Sequence, residues 1–211
     1  MRRCLREPIP EIFEAASYLK SAIDAHFEGD RVRASQLLRR ADIPAIAAWT
    51  DSVWGKYDPK IHWKIEPKTV LPFLAKAERP MPRMPTAATK RAVIDRDGYH
   101  CRFCGIPVIT SEVRRRIRDL YPDAIRWGRQ NKDQHAALQC LWLQYDHVIP
   151  NQRGGASTLE NIVITCGPCN FGRMERSVEE IGLLDPSVTR YSPRWDGHAT
   201  WDGLIRLTQS L

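Results

Sequence analysis

Two Cys-x-x-Cys pairs, Cys101-Arg102-Phe103-Cys104 and Cys166-Gly167-Pro168-Cys169, constrain this chain more than any other feature of its sequence. A two-residue spacer lets a tight turn aim two sulfurs at one ion, and two such turns complete a tetrahedral shell. Soft thiolates with no oxygen donor nearby select zinc over magnesium or calcium, and a closed shell of four leaves no position for chemistry. Residues 105–165 separate the pairs. That loop is longer than the roughly 15 to 20 residues of a simple ribbon, a departure from the usual spacing. The competing reading, a protein with two redox motifs, needs a thioredoxin-like setting that neither pair has. Cys4 and Cys140 are left over and read as ordinary thiols.

A chain of 211 residues can hold one small catalytic domain and an accessory element. The Met1-Arg2-Arg3-Cys4 start has charge without a following apolar run, and no stretch reaches the roughly 18 apolar residues of a membrane span. A soluble, cytoplasmic protein is expected, with metal favoured over cystine. The net charge of +7 is concentrated: ten basic and three acidic residues lie between Arg79 and Arg118, leaving 22 of each sign elsewhere. Four thiolates (−4) and one zinc ion (+2) would lower the total to +5, which still suits a polyanionic partner.

Ile12, Ala16, Leu19, Ile23 and Phe27 form one helical face between Pro10 and Gly29. Asp30 reads as the cap of a second helix, and Asp42 with Pro44 as the start of a third, so residues 1–55 are expected to form a helical accessory module. Its apolar stripes are read as core, and its outer surface is the place for a protein partner. Residues 56–85 read as a connector, with prolines at 59, 67, 72, 80, 82 and 85 and one short strand suggested by Ile61, Trp63 and Ile65. Thr86 to Gly98 fits a short basic helix. Residues 110–144 look helical again, with Asn131 and Gln134 resembling a capping box, and strand resumes at Tyr145. The tail at 185–211 repeats Trp-Asp-Gly at Trp195 and Trp201, read as two turns.

Between the cysteine pairs stand Asp146-His147-Val148-Ile149-Pro150, then Gly154-Gly155, then Asn161-Ile162-Val163, running into Cys166, Cys169, Asn170 and Arg173. In this order the fragments resemble the HNH endonuclease family, whose motif runs Cys-x-x-Cys, Asp-His-x-x-Pro, Gly-Gly, Asn-hydrophobic, Cys-x-x-Cys-Asn and a basic residue. The resemblance covers residues 90–177. It implies an α+β ββα-metal core over residues 86–184, with strands at Val148-Ile149 and Ile162-Val163-Ile164, a helix from Cys169 onward, and a structural zinc on Cys101, Cys104, Cys166 and Cys169. It further implies that His147 is the general base, that Asp146 and Asn170 hold a catalytic magnesium or manganese ion, that Asn161 braces the hairpin loop, and that Arg173 binds the scissile phosphate.

The activity implied is metal-dependent hydrolysis of double-stranded DNA, one strand at a time for a monomer. Lys90, Arg91, Arg96, Arg114, Arg115, Arg116 and Arg118 are expected to hold the phosphate backbone without reading sequence. The 110–144 insertion is read as a helical pair facing DNA or the N-terminal module, or as scaffold. Among restriction, homing and phage defence, defence is preferred, because a compact helical module accompanies the nuclease in place of long sequence-reading arms. The rival is a non-catalytic zinc-ribbon nucleic-acid-binding module, which leaves the joint presence of Asp146, His147, Asn161 and Asn170 unexplained.

Overall fold

The computed structural model describes residues 1–54, 71–189 and 195–209. The short strand expected at Ile61 to Ile65 lies outside the described residues. Three helices open the chain: α1 (Pro10–Phe27), α2 (Arg31–Arg40) and α3 (Pro44–Trp54). α1 buries Ile12, Ala16, Leu19 and Ile23 along the face read from the sequence, while Phe27 at its last turn stays exposed, and Asp30 caps α2 by accepting from the Arg33 amide at 2.9 Å. Asp42, expected to cap α3, instead accepts from the amide of Ala136 at 2.7 Å and from Arg126.

α4 (Ala87–Asp97) starts on Thr86, whose hydroxyl accepts from the Thr89 amide, and stops at Gly98, where φ is +68°. A left-handed residue is cheap only for glycine, so this stop is written into the sequence. α5 (Ser111–Leu120) and α6 (Ala136–Cys140) follow. Asn131 and Gln134 do not cap α6; Asn131 opens a single 3-10 turn, and the ring of His135 caps the helix by accepting from the Leu138 amide.

Among the described residues the sheet has two antiparallel strands, β1 (Leu143–His147) and β2 (Ile162–Cys166), in a register that pairs Leu143 with Cys166 and His147 with Ile162. The first strand therefore ends before Val148-Ile149, the residues expected to form it. The chain turns there because Ile149 gives its amide to the Asn161 side chain rather than to a ladder partner. α7 (Gly167–Arg173) begins two residues earlier than expected, with the Cys166 sulfur as its cap. The result is an α+β unit: a hairpin with α7 packed across it and surrounding helices that complete the core.

The apolar core is continuous from Cys4 through α1–α3 to α4–α7 and on to Trp201 and Leu207, so the N-terminal helices share one core with the hairpin and its helices. The 110–144 insertion is clamped against them. The His135 ring, fully buried, bonds the Leu38 carbonyl at 2.9 Å, Arg31 reaches the Leu120 carbonyl at 2.9 Å, and Asp42 pairs with Arg126. Of the orientations weighed for this insertion, contact with the N-terminal helices is the one observed. The two Trp-Asp-Gly repeats are turns, the second carrying Gly203 at φ +68°.

Gly172 shows how closely α3 and α7 meet. A Cβ at this position would stand 2.4 Å from the Val53 carbonyl oxygen and 2.8 Å from Leu5 Cδ1. Gly172→Ala is therefore expected to push α7 off α3 and cost about 1–3 kcal/mol, an overpacking penalty. At roughly 2–4 °C per kcal/mol for a chain of this size, a thermal melt reads it directly. An unchanged melting temperature would show that the two helices do not dock this tightly.

Candidate active site and metal-ligating cluster

Cys101, Cys104, Cys166 and Cys169 are all buried, and their sulfurs lie within 4.8 Å of one another. β2 delivers Cys166 and α7 delivers Cys169; the Cys101 turn is closed by the Gly105 amide on the Cys101 carbonyl at 2.8 Å, with Gly105 at φ +74°. The Cys104 and Cys166 sulfurs are 3.7 Å apart. A zinc–sulfur bond of about 2.3 Å implies a tetrahedral edge of about 3.8 Å, whereas a disulfide needs about 2.05 Å. All four cysteines are free, and the spacing fits a structural zinc. Burial and the neighbouring sulfurs push the Cys104 thiol up, as expected of four sulfurs that can ionise together only around a cation. Cys4 and Cys140 are buried free thiols whose proton loss is opposed mainly by burial, as read from the sequence.

Beyond the sulfur cluster, β1 ends in Asp146 and His147. The loop that follows is held by Asn161, whose side-chain oxygen accepts from the Ile149 amide at 2.8 Å and whose NH2 donates to the carbonyls of Ile149 and Ala156 at 3.1 and 2.9 Å. Gly155 makes this possible: a Cβ there would overlap the Ile149 carbonyl. Asn161 thus has the geometry of a brace.

His147 Nε2 is 3.0 Å from the Ser157 hydroxyl oxygen. That hydroxyl also lies 2.9 and 2.8 Å from the carbonyls of Pro82 and Arg83, which only accept. A hydroxyl has one proton; with that proton on one of the two carbonyls, His147 Nε2–H is the donor toward Ser157. Nδ1 is then left with its lone pair. Burial first, then the positive charges of Arg173 and Arg83, lowers the His147 pKa to about 4 and keeps the ring neutral. Ser157 gave no signal in the sequence, since an isolated serine after Gly-Gly is an ordinary turn residue.

Asp146 is 6% exposed and is gripped by Arg173, with Nε to Oδ2 at 3.1 Å and Nη2 to Oδ1 at 2.6 Å. Burial pushes its carboxyl up, against the pull of Arg173. Arg173 is 1% exposed and also donates to the carbonyls of His147, Val148 and Arg176. The phosphate-binding fork expected at this position is thus spent within the protein, where it orients Asp146. Each Asp146 oxygen keeps a second lone pair, and with the Asn170 amide it supplies hard oxygen donors of the kind a divalent ion takes.

Asp146, His147 and Asn170 line one groove of about 1510 Å³. Small-molecule pockets run to roughly 300–1,000 Å³, so the space suits part of a polymer. Of the basic residues expected to bind DNA, Lys90, Arg114 and Arg115 line this groove. Arg91 and Arg116 are exposed outside it, while Arg118 pairs with Asp119. Arg96 is committed elsewhere: it pairs with Asp97 and donates to the Leu159 and Ile162 carbonyls, tying α4 to β2. Arg79 and Arg83, which the sequence reading left in the connector, are groove residues.

The hairpin, α7, the four-cysteine cluster and the Asp-His pair at the end of β1 together form a ββα unit with a cluster able to hold a metal ion. Residues 134–173 match the model of a family described as HNH endonuclease. The match spans α6, the hairpin and α7, and leaves Cys101 and Cys104 outside it. No curated protein and no solved structure matches the chain. Among the described residues no helix is long and apolar enough to cross a membrane.

Proposed function

We propose that the chain is a DNA endonuclease in which His147 takes a proton from the water that attacks a backbone phosphorus. The observation that carries this reading is the His147–Ser157 contact: it leaves Nδ1 as a neutral acceptor on the wall of a groove lined by cations. Ser157 fixes the ring, and Asn161 fixes the loop that bears Ser157. Arg173 holds the Asp146 carboxylate in place, in the groove that Asn170 also lines. A magnesium or manganese ion held by Asp146 and Asn170 would stabilise charge on the phosphate and the leaving 3′ oxygen. Arg83 and Lys90 draw the strand into the groove by its phosphates, without reading sequence. The products expected are 5′-phosphate and 3′-hydroxyl ends, and one such site cuts one strand. A zinc ion on the four cysteines is structural in this scheme, and residues 86–184 form the nuclease unit. A role in phage defence, with the outer face of α1–α3 turned to a protein partner, belongs to the same reading.

Nicking of supercoiled plasmid with added magnesium or manganese tests it. His147→Ala is expected to lower the rate by about 10²- to 10⁴-fold, the usual contribution of a general base. Because the His147 pKa is about 4, the base is fully available at pH 6, and the rate is not expected to fall through the ordinary imidazole range near pH 6.5. A His147→Ala variant that nicks at the parental rate would remove His147 as the base, and a parent that never nicks would return the chain to a non-catalytic zinc-ribbon module.

A further inference from the structure

Past Asn170 the groove wall turns aromatic. Phe171, the next residue on α7, is 39% exposed, with its ring 5.7 Å from Trp142 and 5.9 Å from Trp54. Trp142 also carries Arg114, whose guanidinium sits 4.3 Å from that ring and 4.9 Å from the ring of Trp127. All five side chains line the groove that holds His147.

Arg114 is the unusual member. It is 7% exposed, its Nη2 donates to the Gln139 amide oxygen at 3.2 Å, and its Nε has no partner among the described residues. Burial lowers its pKa to about 9, a sign of how poorly the charge is compensated. The groove carries the carboxylates of Glu112, Asp146 and Glu175, but Asp146 is taken by Arg173, and no ion pair to Arg114 occurs among the described residues. The flanking indoles stabilise the cation through their faces, and an arriving anion would complete its partners. Phe171 packs on Trp54 and Trp142 yet leaves part of its ring open to the groove that His147 lines.

We propose that Phe171 and Trp142, backed by Arg114, form a stacking subsite for an unpaired nucleotide, so that the strand cut at His147 is single-stranded or locally unpaired. In an intact duplex both faces of every base are covered by their neighbours, and a protein ring gains a stacking partner only from a base that has left the stack. The arrangement on the page is that of single-strand recognition: rings for the bases and buried or partly buried cations for the backbone. Phe171 follows Asn170 on α7 and lines the same groove as His147, so the stacked base belongs to the strand that occupies that groove. The inference rests on the nuclease reading and names its substrate class.

Binding without cleavage tests it. The zinc-loaded His147→Ala protein is titrated, with no magnesium or manganese present, against fluorescent oligothymidylate, its duplex with oligoadenylate, and an abasic strand of equal length. Oligothymidylate is expected to bind tighter than the other two. Phe171→Leu, which keeps apolar bulk and loses the ring, is expected to weaken oligothymidylate binding by about tenfold, in line with the loss of one stacked base. Its effect on the duplex is expected to stay within about twofold, while Phe171→Tyr should retain the parental affinity for the single strand. An oligouridylate arm distinguishes deoxyribose from ribose, and ring-dependent binding of either strand supports the subsite. Equal affinity for duplex, abasic and intact strands, or indifference to Phe171→Leu, overturns it. A protein that nicks plasmid yet fails this test loses the subsite and keeps the nuclease assignment; one that passes it but never nicks does the reverse.

Discussion

Stripping zinc from the purified protein is expected to unfold it, not merely to inactivate it. The four sulfurs lie at the junction of β2, α7 and the Cys101 turn, all fully or almost fully buried. Structural zinc contributes about 10–16 kcal/mol in small sites near neutral pH, against a net stability of about 5–15 kcal/mol for a typical domain. Losing the ion therefore removes an amount comparable to everything that holds the fold. The N-terminal helices offer no refuge, because α3 rests on α7 and the apolar core runs through both. Chelation followed by circular dichroism should show the helical signal of α1–α3 falling together with the rest. Cys104→Ser is expected to do the same, while Cys140→Ser, outside the sulfur cluster, should leave zinc content unchanged. A chelated protein that keeps its melting temperature would show that packing alone sustains the unit.

The parts of this architecture that were legible in the sequence are those fixed by local rules or by a spaced set of ligands. The face of α1, the Asp30 and Thr86 caps and the Gly98 stop are local, and the structure has each of them. The four-cysteine cluster was legible because only a few spacings let two turns serve one ion. What escaped depended on contacts far apart in the chain. Asp42 looks like the cap of α3 but goes to Ala136, 94 residues away. Arg96 and Arg114 read as surface cations because their neighbours are basic. One is tied to Asp97 and two carbonyls, the other enclosed by indoles that arrive from residues 127 and 142. Ser157 became visible only once the Gly154-Gly155 turn had folded it back beneath His147. Positions in the motif were readable; which groups the fold would assign to the strand and which to itself was not.

Arg173 is where this distinction can be measured. If its guanidinium serves to hold Asp146, then Arg173→Met leaves a buried carboxylate unpaired and takes donors from three backbone carbonyls. The expected cost is about 3–5 kcal/mol in the absence of any nucleic acid. An arginine whose task is to meet a phosphate would be nearly neutral in the same urea titration, because its partner is not there. Arg173→Lys keeps the charge but loses the fork that spans both Asp146 oxygens, so it should fall between parent and Arg173→Met. The double variant Arg173→Met with Asp146→Leu removes the stranded charge along with its partner and should recover much of the lost stability while remaining unable to cleave. Recovery in the double variant identifies the ion pair as the cause. Additive losses would mean that Arg173 acts through its carbonyl contacts alone, and parental stability in Arg173→Met would give the side chain back to the phosphate.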